Sequence, residues 1–284
     1  SNMNMILHNI TKFTIENADT IENPAITEGG QIKKFDRVLA NPPFSQNYNR
    51  ANVQFANRFR EWCPETGKKA DLMFVQHMLA SLKPNGHLAT VMPHGVLFRG
   101  GKEKLIREIF INDDSIEAII SLPTGLFYGT GIPACILVMN KSKPDELRDK
   151  ILFINADREY AEGKNQNKLR PEDIEKIDYV FTNKREISKY SRLVEKLEIV
   201  EKHDYNLNIR RFVDNTPDPE LRMCRRISSV ESLKMKLEDC RQILNALVSI
   251  KIHCSSQNVS ATSHSANRST ANQRSSPNWN LTQF

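Results

Sequence analysis

Short apolar runs separated by polar turns fill the first 155 residues. Phe35-Asp36-Arg37-Val38-Leu39-Ala40 predicts a short strand. Asn41-Pro42-Pro43-Phe44 stops it, because proline brings no amide hydrogen to a ladder. His87–Met92 predicts another strand, closed by Pro93-His94-Gly95, and Ile116–Leu122, Ile132–Asn140 and Ile151–Asn155 predict three more. Lys12–Glu16 alternates polar and apolar and reads as a further short strand, with Asn17-Ala18-Asp19-Thr20 at its end. From Ala70 to about Leu82 the positions of Leu72, Val75, Met78 and Leu79 share one helical face, and Lys83-Pro84-Asn85-Gly86 ends the helix. A second helix is expected over roughly 102–111, and residues 3–10 read as the end of another. Residues 45–70 are mostly polar and read as a long loop or short helices.

Strands alternating with helices predict an α/β sheet, mostly parallel, with helices on its faces. In such sheets the ligand crevice lies outside the carboxyl ends of the strands. Asn41-Pro42-Pro43-Phe44 falls at such an end. Further on, residues 160–200 are charged and partly helical, with Arg170-Pro171-Glu172-Asp173 resembling a helix start. Val230, Leu233, Leu237, Cys240, Leu244 and Leu247 alternate spacings of three and four, either a seam for a partner helix or an amphipathic helix on its own domain. The last residues are rich in Ser and Asn without an acid, and read as disordered.

Composition narrows the class. The chain has 284 residues, 39% hydrophobic and 26% charged, which suits one large domain or a domain with appendages and excludes a collagen-like or wholly disordered chain. The longest apolar run, Ala134-Cys135-Ile136-Leu137-Val138-Met139, is far short of the roughly 20 residues that a helical membrane span needs. Net charge is +6, but residues 210–284 hold 11 Lys+Arg against 6 Asp+Glu, so the body is nearly neutral and net charge alone says little about nucleic acid. The five Cys form no C-x-x-C pair and no zinc-ligand spacing. Cys135 reads as core packing, and the odd set suggests a reducing cytoplasm.

The candidate chemistry lies in Asn41-Pro42-Pro43-Phe44. Two successive prolines fix the backbone and bias the preceding residue toward extended geometry, while their carbonyls remain acceptors. An exocyclic amine on a base is a poor nucleophile because its lone pair is delocalised into the ring. The Asn41 side-chain oxygen and the Pro42 carbonyl can take its two hydrogens and favour the attacking geometry, a preorganised electrostatic effect. Phe44 can stack on the base plane. A base within a duplex must be flipped out to reach such a pocket. The plain alternative is a tight loop that ends a strand.

Residues 35–45, with Ser45 completing the loop, resemble the catalytic loop of S-adenosylmethionine-dependent adenine-N6 DNA methyltransferases. Together with Leu82–His87, Leu122–Phe127, Gly129-Thr130-Gly131-Ile132-Pro133 and Tyr205-Asn206-Leu207-Asn208-Ile209, they resemble the modification subunit of type I restriction-modification systems over about residues 1–215. The resemblance implies a Rossmann-like methyltransferase sheet, incomplete at its N-terminal side, with a C-terminal helical segment. Resemblance, periodicity and composition together divide the chain into a catalytic domain (1–158), a helical region (159–252) and a disordered tail (253–284). The resemblance implies that Asn41, Pro42, Pro43 and Phe44 form the catalytic loop and that Phe127 helps hold the flipped base. It implies cofactor binding by Asp19, Asp71 and Phe74. Asp19 also reads as a turn carboxylate, Asp71 as a helix start, and Phe74 and Phe127 as core aromatics. The implied cofactor is S-adenosylmethionine, with no metal. The implied partners are duplex DNA and the specificity and restriction subunits, in the cytoplasm and without a membrane.

The family's Gly-rich cofactor loop, where close backbone approach requires glycine, has no counterpart before Asn41. The chain alone is therefore expected to bind the cofactor weakly or not at all. Two alternatives stand beside this reading. Asn-Pro-Pro-aromatic loops also serve enzymes that methylate a glutamine side-chain amide, and a truncated, non-catalytic subunit would bind only a partner.

Overall fold

The apolar runs assemble into one six-stranded sheet. A computed structural model describes residues 2–10, 12–127 and 131–216. The 230–247 seam, the tail, and Cys224, Cys240 and Cys254 lie outside the described residues. A short helix α1 (Asn2–Leu7) precedes a two-stranded ribbon, β1 (Thr27–Glu28) and β2 (Gln31–Ile32). Gly29 and Gly30 form its turn at φ 59° and 73°, a backbone region open to glycine at little cost.

The main sheet follows. Its first four elements are β3 (Phe35–Ala40), α2 (Asp71–Ala80), β4 (Leu82–Pro93) and α3 (Lys102–Asn112). Next come β5 (Ile116–Ser121), β6 (Ala134–Asn140), β7 (Lys150–Asn155) and α4 (Pro171–Asn183), and then β8 (Ser191–Glu195) and α5 (Lys196–His203). The strand order is β3-β4-β6-β5-β7-β8.

The sheet is mixed rather than mostly parallel. β3 with β4 and β5 with β7 are parallel, whereas β6 runs antiparallel to both β4 and β5, and β8 antiparallel to β7. Between β5 and β6 the described residues hold no crossover helix and the chain doubles back, whereas β8 runs antiparallel to β7 although α4 lies between them. β3, β4, β5 and β7 still share one direction. Their carboxyl ends, at Asn41, His94, Leu122 and Ala156, therefore lie along one rim of the sheet.

Alternate side chains feed two cores. Ile119 and Phe153 join Leu72, Met78, Leu88, Ile106, Cys135 and Ile199 on the face covered by α2, α3 and α5. Ile120, Leu152 and Ile154 join Val180 of α4 and Tyr190 in the second core. Cys135 is fully buried, as its apolar run suggested.

Three further elements depart from the sequence reading. Lys12–Glu16 is extended but joins no sheet; Thr14 and Glu16 instead border a small cavity with Phe35 and Val38. Lys83-Pro84-Asn85-Gly86 follows the end of α2 as expected, but it lies inside β4 as a bulge. Phe35 pairs with Leu82 and then Arg37 with His87, so the extra residues bow out and Pro84 needs no ladder partner. The sheet also extends past residue 158, since β8 within the expected helical region is an outer strand of the same sheet. Its exposed Arg192 and Glu195 flank buried Ser191 and Val194, a charged outer strand with a weak apolar signal. Helix α4 begins where expected, with the Asp173 side chain accepting from the backbone N–H of Arg170. Among the described residues no helix is long and apolar enough to cross a membrane.

Candidate active site

β3 delivers Asn41-Pro42-Pro43-Phe44 to the carboxyl rim of the sheet. Pro42 is buried, Asn41 and Pro43 are exposed, and Phe44 is half-buried. These four residues line an open cavity of about 410 Å³ with Ser45, Phe127 and Ile132. Phe127 comes from the loop between β5 and β6, more than 80 residues away in sequence, so the fold brings together the catalytic-loop and base-holding candidates. Ile132, 47% exposed, was not picked out from the sequence as a site residue, although the Gly-Ile-Pro stretch around it signalled the resemblance. The cavity lining combines the Asn41 amide with the apolar Phe44, Phe127 and Ile132, a set of groups that can accommodate a planar ring carrying an amine.

The loop is held from behind. Ser45 adopts φ 58°, a left-handed conformation unusual for a residue with a side chain. Its backbone N–H donates to Asp71 Oδ1 at 3.0 Å, and the Ala70 N–H donates to the Gln46 carbonyl at 3.1 Å. Arg99 Nη2 donates to Asp71 Oδ2 at 2.8 Å, and Arg99 also grips Glu103 through Nε and Nη2 at 2.7–3.0 Å. Both carboxylate side chains are 1% exposed, and one guanidinium serves both. Burial works against the charge on Arg99, but Glu103 and Asp71 outweigh it and raise its pKa above the ordinary value.

Asp71 therefore sits beneath the loop with both oxygens engaged. Phe74 is buried in the larger core. Asp19 is exposed, and its Oδ1 accepts from the N–H groups of Ile21 and Glu22 at 2.9 and 2.7 Å, a side-chain-capped turn.

That turn is tied to the body by a residue the sequence did not flag. Buried Arg58 donates to the carbonyls of Thr20, Ile21, Gln54 and Phe55 at 2.6–3.1 Å and meets His77 Nδ1 of α2. Burial lowers Arg58 to about 10, with Asp19 opposing. Burial and the neighbouring Arg58 lower His77 to about 3, so its imidazole is neutral. Nothing in the one-dimensional pattern marks such a residue, because Arg58 reads as one more charge in a polar loop.

Of the residues expected to hold a cofactor, only Asp19 is exposed, and its Oδ1 is already engaged in the turn. Among the described residues, Asn41, Pro42, Pro43, Phe44 and Phe127 line one cavity, and Asp19, Asp71 and Phe74 are not among its lining residues.

A mixed α/β sheet with an Asn-Pro-Pro-Phe loop at its carboxyl rim is the arrangement of a Rossmann-like methyltransferase. The N-6 DNA Methylase family model matches residues 1–220, and the chain belongs to that family. It is 37% identical over 232 residues to the type I restriction enzyme MjaVIII methylase subunit of Methanocaldococcus jannaschii, covering 77% of this chain and 39% of that protein. It is 35% identical over 228 residues to the type I restriction enzyme MpnII methylase subunit of Mycoplasma pneumoniae, covering 77% and 41%. The crystal structure of a type I restriction-modification system methyltransferase subunit from Streptococcus thermophilus superposes with a TM-score of 0.68 at 38% identity, over 75% of this chain and 45% of that one. The chain thus spans roughly two fifths of the length of these two curated relatives.

Proposed function

We propose that the chain carries the acceptor-holding half of an adenine-N6 DNA methyltransferase, the modification subunit of a type I restriction-modification system. The cavity lined by Asn41, Pro42, Phe44, Phe127 and Ile132 supports this reading. The Asn41 side-chain oxygen and the Pro42 carbonyl accept the two N6 hydrogens of a flipped adenine and orient its lone pair outward. Phe44 stacks on the ring, and Phe127 and Ile132 shield it from water. S-adenosylmethionine supplies the electrophilic methyl group. Its tight binding needs a glycine-rich segment that this sequence does not contain before Asn41. Duplex DNA is the substrate, a specificity subunit chooses the site, and a restriction subunit completes the system. A reducing cytoplasm fits the buried free thiols of Cys63 and Cys135.

The test is methyl transfer from labelled S-adenosylmethionine to duplex DNA, with the chain assembled alongside a specificity subunit and an upstream glycine-rich segment supplied in trans. N6-methyladenine in the digested DNA is the expected product. Asn41→Ala is expected to lower the rate about 100-fold or more, the scale for removing one preorganised partner. Label on a protein glutamine rather than on DNA overturns the adenine reading. Label on neither, from a complex that binds DNA, favours the truncated, partner-binding subunit.

A further inference from the structure

We propose that Asp71 is a positioning residue for the acceptor-holding loop: its carboxylate, braced by Arg99, holds the Ser45 N–H and so keeps the turn after Phe44 left-handed. Its place in methyl transfer rests on the function proposed above, but the lock itself does not.

Three observations converge. Ser45 stands at φ 58° with a side chain, so the turn needs an outside contact to persist. Asp71 Oδ1 makes that contact at 3.0 Å, and the adjacent Ala70 N–H takes the Gln46 carbonyl, so the first turn of α2 grips the loop on both sides of Gln46's α-carbon. Asp71 is held in turn: it is 2% exposed, and Arg99 occupies its other oxygen while Glu103 anchors Arg99. A carboxylate so enclosed and so oriented is a fixed acceptor, and a charged acceptor makes the stronger kind of hydrogen bond. Upstream of Ser45 the two prolines remove freedom from the backbone. A displacement at Ser45 therefore passes to Phe44 and Asn41 rather than dissipating. The prolines stiffen the loop, and Asp71 sets where the stiff piece points.

The test uses the full chain with Asp71→Asn and Asp71→Ala. Amide hydrogen exchange is read at Ser45 and Ala70, with the amides of residues 77–80 in the same helix as the internal reference. In Asp71→Ala, Ser45 exchange is expected to accelerate about tenfold or more relative to that reference, the scale for losing one hydrogen bond to a charged group. Adding Ser45→Gly, which adopts the left-handed turn freely, is expected to restore slow exchange at Ala70 but not at position 45. Asp71→Asn keeps the shape and guards against failure to fold; it is expected to accelerate Ser45 less than Asp71→Ala does. Unchanged Ser45 exchange in Asp71→Ala overturns the lock. Equal acceleration across the whole helix reduces Asp71 to a general stabiliser and also overturns it. In the methyl-transfer assay, Asp71→Asn is expected to lower kcat about tenfold with KM for DNA within about twofold. If the unmutated complex transfers no methyl group, the function fails while the exchange result still judges the lock.

Discussion

Replacing Arg99 with methionine keeps a long side chain and removes the one cation shared by two buried carboxylates. Asp71 and Glu103 have side chains 1% exposed, while Arg99 is 32% exposed. Breaking a buried ion pair by deleting one partner typically costs about 3–5 kcal/mol, because the survivor is left charged without compensation. Two survivors would push the cost up, but water entering where the guanidinium reached the surface screens both. The loss expected for Arg99→Met is therefore about 3 kcal/mol near pH 8. Urea unfolding followed by circular dichroism at about pH 8, variant against parent, measures this. Adding Asp71→Asn and Glu103→Gln to the variant is expected to recover most of the loss, since no bare charge then remains. A loss below about 1 kcal/mol, or no recovery when both carboxylates are neutralised, would refute the electrostatic account.

Two other outcomes follow from buried groups and tight backbone. Burial, reinforced by Arg58, lowers the His77 pKa from its ordinary 6.5 to about 3. Its stabilising contribution is complete above the unfolded pKa and is lost as pH falls through the window below it. Between about pH 7.5 and pH 5 this group alone is expected to cost about 2 kcal/mol, and His77→Gln is expected to flatten that slope in urea titrations. In the β4 bulge, a Cβ on Gly86 would lie 2.9 Å from Leu82 Cδ2 and 3.0 Å from the Lys83 carbonyl. Gly86→Ala is expected to cost about 1–2 kcal/mol in the same titrations, and a neutral result would mean that the bulge relaxes freely.

Much of the sheet was legible because its inner strands are nearly continuous apolar runs. Ile116–Ser121, for example, is buried at every position, and no helical pattern competes with it. The Asn-Pro-Pro-Phe loop was legible for a different reason: proline pairs are local, so their conformational meaning survives in one dimension. Strand direction was not legible. Whether β6 runs parallel or antiparallel depends on the path of the loop before it, and an apolar run reads alike in either sense. β8 was hidden by its charges, and Lys12–Glu16 mimicked a strand because one side of an extended coil also faces the core. The Asp71–Arg99–Glu103 arrangement was beyond reach, since 28 residues separate the first pair and Arg99 lies outside any expected helix, with nothing local to tie it to either carboxylate.

β3 lies at the outer side of the sheet, and among the described residues only β4 pairs with it. The strand that bears Asn41 is thus a cantilever, fastened along one flank by a single parallel ladder and propped near its tip by α2. A cantilever bends most easily where it is least supported. Half of the backbone groups of β3 point away from that ladder, and Leu39 stands 46% exposed beside them. Any polypeptide that zips onto that flank stiffens the beam without entering the cavity. Stiffness at Asn41 can in this way be adjusted from outside while every residue that lines the cavity stays as it is.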